Sequence, residues 1–140
     1  AHLTHPERLD TVMGCVSDKF RSGVVIPHWC MKLFINAYTT PGTDMNDPRL
    51  SPIFYDASKF PKYVAVACGD ADTLYRMSFD LMKKISGSAS GTNVDGSRKF
   101  ICVPNEAHEF NTFGRTRASQ EERDRVEGEA INMIRASWRQ

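Results

Sequence analysis

At 140 residues the chain is one domain's worth of material, or half of a larger sheet enzyme. Hydrophobic residues at 41% and aromatic residues at 10% exclude a disordered polymer. A formal net charge of +1, from 18 basic and 17 acidic side chains, excludes a field that would recruit nucleic acid or an anionic membrane, and no apolar run approaches the roughly 20 residues of a membrane span.

The opening Ala1-His-Leu-Thr-His-Pro has no initiator methionine and no charged leader, so the sequence reads as a processed or split polypeptide. Residues 7–20 hold one short helical pattern among scattered charges. A helix is expected over His28-Trp-Cys-Met-Lys-Leu-Phe-Ile-Asn-Ala-Tyr38, with Pro27 in its first turn and Trp29, Leu33, Phe34, Ala37 and Tyr38 on one side. Residues 39–61 contain Pro41, Gly42, Pro48, Pro52 and Pro61, which bar both a helix interior and a central strand, so they form a long ordered connector.

Residues 62–68 are rich in valine and alanine without polar alternation, as expected of a parallel strand covered on both faces. A helix follows from Asp72 or Thr73 to about Ile85, with Leu74, Leu81 and Ile85 on one side and Met77 and Met82 flanking. Ser86-Gly-Ser-Ala-Ser-Gly91 ends it, and residues 99–103 form a second strand stopped by Pro104. Ser119-Gln-Glu-Glu122 has the form of a capping box and opens a helix to about Arg139, its apolar side carrying Val126, Ala130, Ile134 and Trp138. Strand, helix, strand and closing helix make an α/β fold. Two parallel strands are too few for an independent sheet of this kind, so its apolar faces call for a further partner.

Four cysteines, at 15, 30, 68 and 102, form no close metal-binding pair and read as free thiols, with Cys68 and Cys102 packed inside strands. With no N-x-Ser/Thr sequon, they point towards a reducing, cytoplasmic compartment. His2 and His5 lie close together without a nearby third ligand and read as solvated, and His28 reads as a helix-start residue. Arg115, Arg117, Arg123 and Arg125 alternate with Glu121, Glu122, Asp124, Glu127 and Glu129, the pattern of an exposed helix face. No metal site is indicated.

Asp72 and His108 are the residues that carry chemistry. Each lies just beyond the end of an apolar strand, in Tyr63-Val-Ala-Val-Ala-Cys-Gly-Asp-Ala-Asp72 and Phe100-Ile-Cys-Val-Pro-Asn-Glu-Ala-His108. Reactive groups of open α/β sheets collect in the crevice beyond those carboxyl ends. An acid there orients a histidine and stabilises its protonated form, while the imidazole relays a proton to and from a nucleophile. Asp72 alone also has a simpler reading as a helix cap.

In Asp47-Pro-Arg-Leu-Ser-Pro52, Gly69-Asp-Ala-Asp72-Thr-Leu and His108-Glu-Phe110, taken in this order, residues 26–113 resemble the carboxyl-terminal half of the α/β-hydrolases, specifically the hormone-sensitive-lipase-like carboxylesterases. The resemblance implies a doubly wound sheet, with residues 1–61 a helix and connector leading into it and residues 62–140 carrying a triad acid, Asp72, and a triad histidine, His108. It implies a small-molecule ester as substrate and no metal or organic cofactor. It places the helix of Trp29 and Leu33 near the substrate, where they line an acyl pocket or pack in a core, and Phe110 has the same two readings. Asp70 competes with Asp72 as the acid and fits the motif less well. Where the family commonly has proline after the acid and glycine after the histidine, this chain has Thr73 and Glu109.

The family's Gly-x-Ser-x-Gly nucleophile elbow needs a strand before it and a helix after it. The similar-looking Gly87-Ser-Ala-Ser-Gly91 has Ala89 at its centre and follows a helix. The serine and the oxyanion hole are therefore expected on an amino-terminal half, supplied as a second chain or a cleaved segment. A dehydratase or non-catalytic receptor on the same fold, and a stand-alone flavodoxin-like interaction domain, are the alternative readings.

Overall fold

The computed structural model describes residues 26–113 and 116–139. The short helical pattern at residues 7–20, together with His2, His5, Cys15 and Arg115, lies outside the described residues. Among the described residues no helix is long and apolar enough to cross a membrane.

Helix α1 spans His28–Tyr38. Pro27 is its N-cap rather than part of its first turn, at φ −63° and ψ 150°. Thr39 closes the helix by giving both its N–H and its hydroxyl to the Ile35 carbonyl, at 2.9 and 2.8 Å. The helix turns Met31 inward, 2% exposed, and leaves Trp29, Leu33, Phe34 and Tyr38 51–74% exposed. Trp29 and Leu33 are thus not core residues among the described elements; the apolar stripe is real, but no described element covers it.

The connector is ordered by local bonds, as its prolines require. Asp47 accepts from the Arg49 backbone N–H at 2.9 Å and from its guanidinium at 2.6–3.1 Å, and these bonds hold its carboxyl down to about 2. The Asp47 carbonyl takes the N–H groups of Leu50 and Ser51, each at 2.9 Å. Two single 3₁₀ turns follow, Pro52–Phe54 and Ala57–Lys59.

Strands β1, Val64–Gly69, and β2, Arg98–Val103, pair in parallel with Val64 opposite Arg98 and Gly69 opposite Val103. Helix α2, Tyr75–Ser86, makes the crossover and covers one face of the pair. Cys68, Met82, Ile85 and Phe100 form the core there, with Val64, Val66, Tyr75 and Phe79 packed around them. Met77 and Met82, 1% and 0% exposed, are with Ile85 the buried residues of α2, so they do not merely flank it, whereas Leu74 and Leu81 are only partly buried. Gly87, at φ +68°, ends the helix in the left-handed conformation that glycine adopts without strain.

Arg98 fastens this layer. Its guanidinium donates to the carbonyls of Ile85, Phe60 and Pro61, the last two at 3.2 and 3.4 Å, so one side chain joins the end of α2 to the connector. Arg98→Met keeps the stem and removes these charge-assisted bonds. We expect a loss of about 2 kcal/mol in urea unfolding; an unchanged midpoint would show that water replaces the bonds at no cost.

After the short α3, Phe110–Phe113, the chain closes with α4, Arg117–Trp138. An ion pair between Lys99 and Glu129 and a bond from Arg125 to the Cys102 carbonyl at 3.3 Å tie α4 to β2. The helix starts earlier than the Ser119 box suggests. Thr116 is the N-cap and accepts from the Ser119 N–H at 3.1 Å, because the Ser119 side chain is turned inward and engaged elsewhere. Ile131, Ile134 and Trp138 are 47–81% exposed, so the carboxyl-terminal half of α4, like α1, presents apolar surface to solvent. The described architecture is α/β, with a two-stranded parallel sheet.

Candidate functional site

Beyond the carboxyl ends of β1 and β2 the two chains remain stitched together. The Asp70 N–H donates to the Val103 carbonyl at 3.0 Å, the Asn105 N–H to Asp70 Oδ1 at 2.7 Å, and the Ala71 N–H to the Glu106 carbonyl at 3.1 Å. The parallel ladder thus extends through both loops, and its next rung is formed by side chains. His108 Nδ1 lies 2.9 Å from Asp72 Oδ2.

This contact depends on a close backbone crossing. A Cβ built on Gly69 would overlap the Glu106 carbonyl group and come within 3.2 Å of the Ala107 carbonyl oxygen. Glycine inside a strand pattern signals such an approach. The signal was present in Tyr63-Val-Ala-Val-Ala-Cys-Gly and is the one feature of the crossing that sequence alone discloses.

Asp72 is 6% exposed, and each of its oxygens is used. Oδ1 accepts the Leu74 N–H at 2.8 Å, and Oδ2 faces His108 and accepts from the Cys68 thiol at 3.6 Å. Asp72 is therefore not the helix cap, which is Leu74 without a side-chain cap bond; its carboxylate braces the turn before the helix and faces the histidine. α2 accordingly begins at Tyr75, later than expected, because Asp72 and Thr73 belong to the turn that aims the carboxylate. Asp70, the competing acid, is committed to the Asn105 N–H and serves to hold the histidine loop.

The His108 side chain is 30% exposed, and its Nε2 makes no hydrogen bond to a described residue. Its pKa is raised above the ordinary histidine value, first by the Asp72 hydrogen bond, against the opposing effect of burial, with smaller contributions from the charges of Asp72 and Glu109. An ionised carboxylate on Nδ1 fixes the ring's tautomer, leaving Nε2 as the proton acceptor of the neutral imidazole. The pair can orient and charge-stabilise a proton relay at Nε2; no described side chain is bonded there as a nucleophile.

Two residues behind the histidine were not foreseen. Glu106, 0% exposed, accepts the Ser119 hydroxyl at 2.8 Å, and Ser119, also 0% exposed, is 2.8 Å from the Thr116 hydroxyl. Since a hydroxyl has one proton, Ser119 donates to Glu106 and Thr116 donates to Ser119. The first turn of α4 is thereby locked to the histidine loop. Nothing in the sequence distinguishes this buried glutamate from a solvated one. Phe110, which begins the short helix after the loop, is buried at 6% exposed.

Glu109 has φ +56°, which accounts physically for glycine being suited to the position after the histidine. We expect Glu109→Gly to stabilise the fold by about 0.5–1 kcal/mol, the relief of left-handed strain exceeding the added freedom of the unfolded chain. It should also lower the His108 pKa, because a neighbouring negative charge is removed. Urea unfolding and an NMR titration of the His108 ring check both; a destabilised variant would mean that the Glu109 side chain contributes more than its backbone costs.

Among the described residues no group of three or more His, Cys, Asp or Glu side chains could hold a metal ion. A groove of about 620 Å³ lined by Tyr63, Asn93, Lys99, Glu129 and Asn132 lies at the opposite, amino end of the strands, away from Asp72 and His108. No protein-family model, curated protein or solved structure matches this chain.

Proposed function

We propose that the chain is the acid-and-histidine segment of a serine hydrolase of the carboxylesterase type, built on an α/β-hydrolase sheet completed by a second polypeptide or segment. The observation that carries the reading is the 2.9 Å contact between His108 Nδ1 and Asp72 Oδ2, with Nε2 open at the carboxyl end of a parallel sheet. A serine of the partner attacks the ester carbonyl, Nε2 of His108 takes its proton and returns it to the departing alcohol, and Asp72 holds the ring and its charge. Water, activated by the same imidazole, releases the acid.

The exposed apolar faces of α1 and α4 support a partner. So do Ala65 and Ala67, exposed on β1, since parallel strands are normally covered on both faces. A stand-alone interaction domain leaves this surface unexplained.

Purification of the native material under mild conditions, followed by intact-mass measurement and labelling with a fluorophosphonate, tests the reading. A co-purifying polypeptide that takes up the label on a serine within a Gly-x-Ser-x-Gly sequence is the expected result. A monodisperse, unlabelled chain with no ester turnover would sink it.

A further inference from the structure

The parallel register sets Cys68 directly opposite Cys102. Paired residues of neighbouring strands project from the same face, here the face under α2, where Cys68 packs with Phe100 and Met82. Both cysteines are free thiols, but their environments differ: Cys68 is 6% exposed and buried, whereas Cys102, expected to be buried, is exposed at the end of β2. Neighbouring strands run about 4.8 Å apart. That spacing falls within the roughly 4.4–6.8 Å Cα separation that disulfides bridge, although their Cβ atoms must close to about 3.8 Å. The Cys68 thiol donates to Asp72 Oδ2 at 3.6 Å, on the same oxygen that faces His108.

We propose that Cys68 and Cys102 are a reversible redox pair, which a peroxide-class oxidant converts to a cross-strand disulfide, withdrawing the thiol hydrogen bond from Asp72. This goes beyond the hydrolase reading, because the bond forms without a serine or a substrate.

The exposed Cys102 sulfur attacks a peroxide oxygen; the O–O bond breaks, a sulfenic acid forms and one water leaves. The Cys68 sulfur then attacks the Cys102 sulfur. The S–S bond forms, the S–O bond breaks, and the hydroxyl departs as a second water. Its proton comes from the Cys68 thiol by way of Asp72 Oδ2, the acceptor to which that thiol already points. Two thiols give up two electrons and two protons, and the peroxide takes them.

The order of attack follows from the surroundings. Burial first, then the nearby Asp72 charge, push the Cys68 thiol well up, so Cys68 is a poor first nucleophile and acts as the resolving thiol. The Cβ atoms of adjacent parallel strands must be drawn together to make the bond, and strained disulfides are the readily reduced ones. The product is therefore labile towards a dithiol.

The consequence for the site has a definite sign. With Cys68 turned towards Cys102, Asp72 Oδ2 loses a donor and directs more of its charge onto the imidazole. His108, which also faces Glu109, then titrates at a higher pH than in the reduced protein.

The test is exposure of the native chain to hydrogen peroxide, blocking of free thiols, and peptide mapping without reduction. The expected result is a peptide containing Cys68 linked to one containing Cys102, lighter by two hydrogens and restored by dithiothreitol. In Cys102→Ser, peroxide should leave Cys68 unmodified; in Cys68→Ala, Cys102 should proceed to sulfinic acid. Oxidation of Cys102 without linkage in the native chain, or linkage through Cys15 or Cys30 instead, overturns the pair. An NMR titration of His108 separates the second half of the proposal: oxidised protein and Cys68→Ala should both titrate higher than reduced protein, and an unmoved His108 in a linked sample overturns the connection to Asp72. Neither readout requires ester turnover, so failure of the hydrolase reading leaves this result interpretable.

Discussion

Gly69→Ala is expected to cost roughly 3–5 kcal/mol in unfolding free energy, the upper range for a single substitution. The added methyl group has no rotamer with which to avoid the Glu106 carbonyl, because Cβ position is fixed by the backbone and the obstacle is itself backbone. Relief requires the histidine loop to lift away from β1. That movement breaks the Ala71 to Glu106 bond and pulls on the Asp70 to Asn105 bond, and the Asp72 to His108 contact opens with them. Two measurements distinguish this from ordinary core damage. The urea midpoint should fall, and the His108 pKa should move back towards its ordinary value, since its first cause of elevation is the Asp72 hydrogen bond. A destabilised variant whose His108 titration is unchanged would show that the loop adjusts elsewhere and that the crossing does not set the pair.

The same crossing shows where the sequence is legible. A glycine in a strand, two carboxylates after it and a histidine after the next strand are local features, and the parallel pairing of adjacent strands brings the two loops that carry them side by side. Likewise the ends of α1 follow from Pro27 and the connector that starts at Thr39, and the observed helix spans the residues expected of it. Partner choice is a different matter. Asp70 and Asp72 are the same residue type two positions apart, and only the ladder geometry sends one to a backbone N–H and the other to an imidazole. Thr116 replaces Ser119 as the helix cap because Ser119 is drawn inward by Glu106, from 13 positions earlier in the chain. Amphipathic spacing identified the apolar sides of α1 and α4 but says only that a face is apolar, never what covers it. Trp29, Leu33, Ile134 and Trp138, all at least half exposed, mark that boundary.

On the proposed hydrolase reading, His108→Ala should lower ester turnover of the chain with its proposed partner by about 10⁴–10⁶-fold, and Asp72→Asn by about 10⁴-fold. The first removes the proton acceptor. The second keeps the shape but replaces a carboxylate that accepts from Nδ1–H with an amide able to donate to Nδ1, so the ring adopts the tautomer whose Nε2 already carries a proton. The pH profiles separate these causes. In the native protein His108 titrates above its ordinary value, so activity requiring neutral imidazole rises only as pH passes that elevated pKa. In Asp72→Asn the residual activity should rise at lower pH, because the hydrogen bond that elevates the pKa is gone. Stability shows the opposite trend. A histidine whose folded pKa exceeds its unfolded value contributes its full stabilisation below the unfolded pKa, about 6.5, and loses it as pH climbs through the folded pKa. Urea midpoints of the native chain should therefore decline across that window and those of Asp72→Asn should not, apart from a constant offset for the altered turn bond to the Leu74 N–H. If the two proteins share one pH dependence of stability, the contact seen at 2.9 Å carries no net charge coupling and the acid only braces the turn at Leu74.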